Sequence, residues 1–359
     1  MTAEKQGIIA IRFPNWVGDL IMATPFVQML AETCPDYRLI AFARRYNAGI
    51  LTGNPHLEQI VAIDDRTLQG LQSVRRKVKV IRPEIAVILP NSLRSLIPFL
   101  GVGVRRIIGY QRNGRGLFIH GPKPPRDDDG KFLPEPMTNY YNRLLEYVTN
   151  SLPQKPSGDY PLRLYTTEQE RQAARQHLER LGITPGEPLI ALNPGAKFGS
   201  SKCWPPEHFA ALADLLHEQF KAKILVLAGP GEDAIVNQIC RLTQVPLAAA
   251  IDPIIDLSEL KGVMEFVDLL ITNDTGPRHY AVAYNKPVVV LMGPTDARWT
   301  AYPYPHAAIL QKKMECIPCH RKECSGNHQC MRDISPQEVF REVQKLLARM
   351  PEHRLSPVV

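Results

Sequence analysis

Short apolar runs alternate with amphipathic stretches along the first half of the chain, and this pattern predicts a parallel sheet covered by helices. We expect strands near residues 7–13, 38–43, 60–63 and 85–89, and helices near 20–32, 68–82 and 137–149. Strands that are apolar at every position, such as Ile85–Leu89, are typical of a parallel sheet buried on both faces. The Gly- and Pro-rich stretch 111–136 is expected to form a long loop.

The second half of the chain repeats the alternation. Strands are expected near 189–193, 223–228, 269–272 and 288–291, and helices near 168–181, 206–220, 232–242, 276–284 and 336–350. Three prolines and a glycine in Ser151–Pro161 indicate a linker between the halves. We therefore predict an α/β protein of two Rossmann-like, doubly wound domains, over 1–160 and 161–350, that face a central cleft. In such folds, ligands bind at the carboxyl ends of the strands.

Composition excludes several classes of protein. The chain has 359 residues, of which 44% are hydrophobic and 22% charged, so it can bury a sizeable core and is not a disordered chain. It contains no apolar run of about 18 residues, which argues against a transmembrane helix. Its N-terminus lacks the charged and apolar regions of a secretion signal, so we expect a cytoplasmic protein.

Charge is divided unevenly between the two halves. Residues 1–165 hold 22 Lys and Arg against 14 Asp and Glu, whereas residues 166–359 hold 21 against 22. The first half is therefore basic and the second nearly neutral. A basic half indicates an anionic partner, such as phosphate groups, a membrane surface or nucleic acid.

Three turns that follow predicted strands carry the candidate chemistry. They are Asn193–Ala196, which leads to Lys202; Gly229–Glu232; and Asn273–Gly276, which opens a helix. Glycines, hydroxyls and backbone N–H groups at such positions suit a phosphate. Each turn alone is better explained as a tight connection between a strand and a capped helix. In the third turn, Asp274 or Thr275 could be the cap. Three such turns in one half, all at strand ends, favour a site for a nucleotide diphosphate.

Five segments rich in Gly, Pro, Asn and Asp occur in order along the chain. They are Arg12–Pro25, Leu89–Ser95, Asn193–Pro205, Thr272–His279 and Gly293–Asp296. Together they resemble glycosyltransferase family 9, the lipopolysaccharide heptosyltransferases, and the resemblance extends over most of the chain. No single segment is decisive, whereas the ordered set is specific. The first two segments resemble the heptosyltransferase II group more than the heptosyltransferase I group.

The resemblance implies a glycosyltransferase-B fold and inverting transfer of a heptose. The donor would be ADP-L-glycero-D-manno-heptose, held by the C-terminal domain. The acceptor would be the first heptose of the lipopolysaccharide inner core on phosphorylated Kdo-lipid A, held by the basic N-terminal domain. Such an enzyme would contact the cytoplasmic face of the inner membrane peripherally and would not bind nucleic acid. No motif requires a metal for catalysis.

Basic side chains of the first half are candidates for contact with acceptor phosphates or anionic headgroups. They are the run Arg75–Lys79 and four further arginines, Arg105, Arg106, Arg112 and Arg115. For the run, a solvated helix face is the alternative.

The resemblance also assigns roles to residues. Asp19 matches the catalytic aspartate and would act as the general base that takes the proton of the acceptor hydroxyl; an ordinary first-turn aspartate is the alternative. Lys202 matches the phosphate lysine and would stabilise the charge that develops on ADP. The other candidates for substrate binding are Asn15, Gly18, Asn91, Arg94, Asn193, Ser201, Glu232, Asp274, Thr275, Gly276 and His279. For His279, phosphate contact and simple packing both remain open.

Four of the seven cysteines fall in a loop predicted over 314–332, before the final helix. They are Cys316, Cys319, Cys324 and Cys330, with the spacing C-x2-C-x4-C-x5-C. Four cysteines so close together suggest a structural zinc ion with tetrahedral ligands. The spacing is irregular for the well-known zinc folds, so reduced thiols without a metal and disulfides remain alternatives.

Other functional classes stay open as alternatives. A transferase of the same family with a different inner-core acceptor comes first, and a nucleotide-sugar epimerase second. A periplasmic binding protein is disfavoured because no export signal is expected. A zinc-bearing nucleic-acid binder is disfavoured because no aromatic-rich basic strand occurs. The dinucleotide fingerprint, the P-loop and the Gly-x-Ser-x-Gly elbow are all absent from the sequence.

Overall fold

The structure, a computed structural model, describes residues 7–149, 160–184, 186–350 and 354–355. The chain divides into two compact units. The first comprises Met1–Tyr165 and Arg298–Pro303, and the second Thr166–Ala297 and Tyr304–Val359. Most of the predicted linker, Ser151–Pro161, lies outside the described residues. Among the described residues, no helix is long and apolar enough to cross a membrane.

The first unit contains a parallel sheet with the strand order β3-β2-β1-β4-β5. Its strands are β1 (Gly7–Arg12), β2 (Tyr37–Arg44), β3 (Gln59–Ile63), β4 (Ile85–Ile88) and β5 (Arg106–Ile108). Its helices are α1 (Val17–Met22), α2 (Thr24–Thr33), α3 (Arg45–Ala48), α4 (Leu68–Ile81), α5 (Leu93–Leu96), α6 (Met137–Asn142) and α7 (Leu145–Thr149).

The second unit contains a parallel sheet with the order β11-β10-β9-β6-β7-β8. Its strands are β6 (Leu189–Asn193), β7 (Lys223–Leu227), β8 (Ala248–Ala250), β9 (Leu269–Asn273), β10 (Val288–Met292) and β11 (Ala307–Gln311). Its helices are α8 (Glu168–Arg180), α9 (Pro206–Phe220), α10 (Asp233–Leu242), α11 (Glu259–Phe266), α12 (Gly276–Ala283), α13 (Gln329–Arg332) and α14 (Pro336–Ala348).

The central strands form the cores because their side chains are apolar on both faces of each sheet. Every residue of β4, β6, β9 and β10 is buried. Short polar signals set the helix boundaries: Thr167 and Glu170 form a reciprocal capping box at the start of α8, and Ser335 caps α14. The predicted parallel α/β class is confirmed in both units.

Two kinds of element differ from the sequence prediction. The helix expected over 20–32 is two helices that meet at Ala23, with Pro25 in the first turn of the second. The strands β5, β8 and β11 were not predicted. Each is an edge strand of its sheet and is only partly buried. Two of them, β5 and β8, are only three residues long.

Candidate functional site

The carboxyl ends of β6 and β9 meet at one edge of the second sheet, where two of the predicted turns lie. These strands are hydrogen-bonded neighbours. Asn193 Nδ2 donates to the hydroxyls of Thr272 (3.0 Å) and Thr275 (2.9 Å). Asn273 Nδ2 donates to the carbonyl oxygen of Pro194 (2.6 Å). Side-chain amides therefore tie the two turns to each other.

Asp274 is the buried centre of this edge. Its Oδ2 accepts from Lys202 Nζ (2.7 Å) and from Thr295 Oγ1 (2.8 Å), and its Oδ1 accepts from Arg278 Nη1 (2.9 Å). Burial alone would raise the pKa of the Asp274 carboxyl, but the charges of Lys202 and Arg278 outweigh burial and hold that pKa well below its usual value. Two cations, Lys202 and Arg278, therefore lie against this one carboxylate.

Lys202 ends a short 3₁₀ turn, Ser200–Lys202. Its side chain is only 12% exposed, and Nζ donates to the carbonyl oxygen of Asp274 (2.8 Å) as well as to its carboxylate. Its neighbour Ser201 is buried, and Ser201 Oγ donates to the carbonyl oxygen of Arg321 (2.5 Å). The predicted phosphate lysine is thus held by Asp274, and the Ser201 hydroxyl by the cysteine-bearing loop.

Helix α12 begins at Thr275 and Gly276 without the side-chain cap that the sequence left as an alternative. Thr275 is the N-cap residue, but its side chain accepts no capping hydrogen bond. Its hydroxyl accepts from Asn193 (2.9 Å) and donates to the carbonyl oxygen of Asn273 (3.3 Å). The Thr275 hydroxyl therefore joins the ends of two strands and does not cap the backbone N–H groups at the start of α12.

His279 is buried in α12 and carries no charge at neutral pH. Burial, followed by the charge of Arg278, lowers the pKa of His279 to about 3. A neutral imidazole carries no charge to balance a diphosphate, but its N–H can still donate a hydrogen bond to a phosphate. Phosphate contact and packing therefore both stay open for His279.

Glu232 lies immediately before α10, beside the turn that follows β7. Its Oε2 accepts from the backbone N–H of Gly229 (2.7 Å). The same carboxylate lies against Gly195, where an added Cβ would come within 1.8 Å of Glu232 Oε2. A side chain at position 195 would therefore displace the Glu232 carboxylate from this turn. The third predicted turn therefore lies at the same sheet edge as the other two.

In the first unit, buried ion pairs hold the turn that follows β1. Arg12 Nη2 donates to Asp65 Oδ2 (2.8 Å) and to Asn15 Oδ1 (2.7 Å). Arg44 Nε donates to Asp65 Oδ1 (2.8 Å), and Asn47 Nδ2 donates to the carbonyl oxygen of Asn15 (3.0 Å). Asn15 is therefore fixed through both its side chain and its backbone.

Asp19 lies in the first turn of α1, directly after Gly18, and is half-buried. Burial, and then the negative charge of Asp19, raise the pKa of the Tyr141 hydroxyl. The structure places Asp19 just beyond the carboxyl end of β1, where the sequence analysis expected it.

Asn91 and Arg94 follow β4 and bond within the first unit. Asn91 Oδ1 accepts from Arg115 Nη2 (3.1 Å), and Asn91 Nδ2 donates to the hydroxyl of Tyr140 (3.0 Å). Arg94 Nη1 donates to the carbonyl oxygen of Asp65 (3.0 Å). Arg115 is fully buried, so its expected contact with phosphates or headgroups at the surface is wrong: its guanidinium bonds to acceptors inside the unit.

Of the four predicted zinc ligands, Cys316, Cys319 and Cys324 lie on one loop and Cys330 lies in α13; all are free thiols. Burial, followed by the charges of Cys324, Cys316 and Cys319, raises the pKa of Cys330 to about 11. Thiolates suit zinc. Within the part of the chain that the structure describes, however, no three Cys, His, Asp or Glu side chains are arranged to hold a metal ion. Structural zinc stays a prediction.

Sequence reasoning missed the partners that hold these residues in place. Arg278 follows Asp274 by one helical turn, so its i,i+4 spacing was a usable signal. Asp65 offered none, because it pairs with Arg12 across 53 positions. That contact depends on the order of the strands in the sheet.

Comparison with known proteins places these features in context. A family model described as glycosyltransferase family 9 (heptosyltransferase) matches residues 71–329. Lipooligosaccharide heptosyltransferase 2 of Haemophilus influenzae is 29% identical over 357 residues, which cover 95% of this chain and 99% of the relative.

Two solved structures share the fold over nearly their whole length. The glycosyl transferase family 9 protein from Veillonella parvula has a TM-score of 0.81 at 22% identity and covers 97% of this chain and 99% of its own. ADP-heptose lps heptosyltransferase II of E. coli has a TM-score of 0.76 at 23% identity, with 96% and 100% covered. The predicted fold is confirmed by these structures.

Proposed function

Because the chain belongs to glycosyltransferase family 9, we propose that it transfers L-glycero-D-manno-heptose from its ADP derivative to the first heptose of the lipopolysaccharide inner core. Family membership agrees with the resemblance carried by the five segments. The near full-length relative named heptosyltransferase 2 supports the choice of sugar and acceptor. The observation that carries the proposal is Lys202, buried against Asp274 at the strand ends of the second unit.

The second unit supplies the donor site. Lys202 attracts the diphosphate of the nucleotide sugar, because its ammonium stands on a flexible stem and can turn from Asp274 towards a phosphate. As the bond between the anomeric carbon and the phosphate oxygen breaks, negative charge grows on ADP and Lys202 stabilises it. Asn193, Thr275 and Gly276 shape the edge where the phosphates bind. Glu232 accepts hydrogen bonds from donor hydroxyls.

Asp19 of the first unit is the general base. An acceptor hydroxyl attacks the anomeric carbon, its oxygen forms the new glycosidic bond, and its proton passes to the Asp19 carboxylate. ADP leaves with the electron pair of the broken bond, and attack from the opposite face inverts the anomeric centre. Asn15 and Gly18 set the position of Asp19, while Asn91 and Arg94 shape the acceptor side.

The first unit also makes a peripheral contact with an anionic membrane. The predicted run Arg75–Lys79 is poorly suited to it, because Arg75 and Lys77 donate to backbone carbonyls of their own unit. The neighbouring apolar residues Leu117 and Phe118 are 91% and 53% exposed. They line a groove of about 570 Å³ together with Arg105 and Arg106. Apolar tips beside cations are typical of a surface that meets lipid headgroups.

A transfer assay tests the reaction. The enzyme is incubated with ADP-heptose and with acceptor lipids that carry no heptose, one heptose, or one heptose and a phosphate, and the products are weighed by mass spectrometry. We expect one heptose to be added to the acceptors that already carry one. Addition to the acceptor without heptose would contradict the proposed acceptor. Conversion of ADP-heptose to an isomer without any acceptor would instead support the epimerase.

Vesicle sedimentation tests the membrane contact. We expect Leu117→Ser with Phe118→Ser to weaken binding to vesicles that contain anionic lipid. The matched control, Leu68→Ser with Val80→Ser, removes two other exposed apolar side chains, which lie on α4, and should leave binding unchanged. Equal losses in both variants would contradict a contact at Leu117 and Phe118.

No catalytic step requires a metal in this proposal. If zinc binds the four cysteines, its role is structural, because four protein ligands leave no open position. Metal analysis of protein purified under reducing conditions without chelator would then find about one equivalent. Absence of zinc in such protein would contradict this prediction.

A further inference from the structure

The cysteine segment, residues 314–332, packs against the turn that carries Lys202. Ser201 N donates to the carbonyl oxygen of Lys322 (3.1 Å), and Ser201 Oγ donates to that of Arg321 (2.5 Å). His328 Nε2 lies 2.8 Å from the carbonyl oxygen of Ser201. Because a carbonyl can only accept, Nε2 carries the hydrogen and donates. The backbone and side chain of Ser201 are therefore all bonded to this segment.

The contact is a close approach of two backbones. An added Cβ at Gly199 would come within 2.2 Å of the carbonyl oxygen of Lys322. The turn Ser200–Lys202 thus lies directly against the cysteine segment, with no room for a side chain at 199. A shift of the segment must move the turn.

The same segment also reaches the other partner of Asp274. Cys319 N donates to the carbonyl oxygen of Pro294 (3.0 Å), and the next residue, Thr295, donates to Asp274 Oδ2 (2.8 Å). A Cβ at Gly293 would meet Met331 Sδ at 2.6 Å. The segment therefore supports Lys202 on one side of Asp274 and Thr295 on the other.

We propose that the cysteine segment is a brace that positions Lys202 for the donor diphosphate, and that Ser201 and His328 are its positioning residues. This inference rests on the proposed function of Lys202. A lysine side chain has many rotamers, so its ammonium is well placed only if its backbone is fixed. Displacement of a charged group by about 1 Å at a reacting bond is enough to lower the rate about 100-fold.

The two histidines of the segment allow a matched test. His328 and His320 both have left-handed backbone, with φ of 56° and 53°, so substitution by alanine strains both positions alike. The His320 backbone N–H, which alanine keeps, donates to the carbonyl oxygen of Pro294. We expect His328→Ala to weaken ADP binding about tenfold, the effect of one hydrogen bond, and to lower kcat/KM for the donor. His320→Ala should leave both values unchanged.

Two further measurements separate positioning from stability. His328→Gln keeps an N–H at similar reach, and we expect it to restore part of the ADP affinity. In a double-mutant cycle, His328→Ala should cost little when Lys202 is already alanine. Equal losses in His328→Ala and His320→Ala, or a full loss in the Lys202→Ala background, would overturn the brace.

Calorimetry with ADP keeps the two levels of inference apart. If the wild-type protein does not bind ADP, the proposed function is wrong. If the wild-type protein binds ADP and His328→Ala binds it equally well, only the brace is wrong.

Discussion

Each unit buries one aspartate between two cations, yet the two clusters are built for different purposes. In the first unit, Asp65 pairs with Arg12 and Arg44, both at 2.8 Å. In the second, Asp274 pairs with Lys202 at 2.7 Å and with Arg278 at 2.9 Å. Each carboxylate follows or lies near the carboxyl end of a parallel strand. The geometry of the two clusters is similar. They differ in the other hydrogen bonds that their cations make.

The cations of the first cluster are committed to the protein. Arg12 extends from Asp65 to Asn15 Oδ1 and to the carbonyl oxygen of Phe13, so its planar fork links the turn after β1 to the turn after β3. Lys202 makes its hydrogen bonds to Asp274 itself. A lysine on a flexible stem can leave that carboxylate for a phosphate, whereas a forked arginine with fixed acceptors cannot. The first cluster therefore fixes the loop before Asp19. The second cluster contains a lysine that can exchange its carboxylate partner for a phosphate.

The sharpest test of this division concerns chemistry in the first unit. We expect Asp19→Asn to lower kcat about 10²–10⁴-fold, the usual cost of losing a general base. Affinity for ADP should stay close to that of the wild type, because the role proposed for Asp19 is to take the acceptor proton and not to bind the donor. Turnover is measured beside ADP calorimetry. Turnover within about tenfold of the wild type would remove Asp19 from this role.

Stability tests the structural purpose of the first cluster. Asp65→Asn leaves the buried guanidinium of Arg12 and the half-buried guanidinium of Arg44 without their carboxylate, and we expect it to lower the free energy of unfolding by about 3–5 kcal/mol. Turnover should fall as the loop before Asp19 loosens, while ADP affinity is kept in the folded protein. The measurement is denaturant unfolding beside calorimetry.

A matched variant identifies which cation matters. Arg44→Gln removes a partner of Asp65 that is 21% exposed, whereas the Arg12 side chain is 1% exposed and also bonds to Asn15. We expect Arg44→Gln to cost less stability and less turnover than Arg12→Gln. Equal effects would mean that the contact with Asn15 does not position the loop.

Central strands of each sheet could be predicted from the sequence better than edge strands. The residues of the functional turns could be predicted better than the residues that form ion pairs with them. Central strands such as Ile85–Ile88 are apolar throughout, so their burial is visible residue by residue. The edge strand Ala248–Ala250 offers only small residues. The turn at Asp274 was recognisable from its own residues, whereas Asp65 acts only after three strands align. The pair of Arg12 with Asp65 spans 53 positions and leaves no local pattern, whereas the pair of Asp274 with Arg278 has the i,i+4 spacing of a helix and could have been predicted.

The second cluster is tested by removing the ammonium group of Lys202. We expect Lys202→Ala to weaken ADP binding and also to lower kcat, because charge on ADP increases in the transition state. A loss of about 10- to 100-fold in kcat/KM is the expected scale. The control is Lys197→Ala, an exposed lysine of the same loop, which should change neither value. A rise in KM alone would mean that Lys202 anchors only the ground state.

The smallest expected effect is the pH dependence contributed by the helix that follows Asp274. His279 is buried and its pKa is lowered to about 3, whereas an unfolded histidine titrates near 6.5. Between these values the unfolded state binds the extra proton, so stability is lost as pH falls below about 6.5. From pH 6.5 to 5 the loss is about 2 kcal/mol. Asp274 does not contribute in this window, because its lowered pKa matters only below about pH 4.

We expect His279→Gln to flatten the dependence of unfolding free energy on pH between 7 and 5, whatever its effect on stability at pH 7. The glutamine side chain has no proton to gain in this range, so the unfolded state is no longer favoured by acid. Urea unfolding at pH 7 and pH 5 measures the difference. His120→Gln, at an exposed position of the first unit, is the control and should keep the wild-type slope. An unchanged slope in His279→Gln would mean that the imidazole gains its proton in the folded protein over the same pH range as in the unfolded chain. A charged contact between His279 and phosphate would then be favoured over packing.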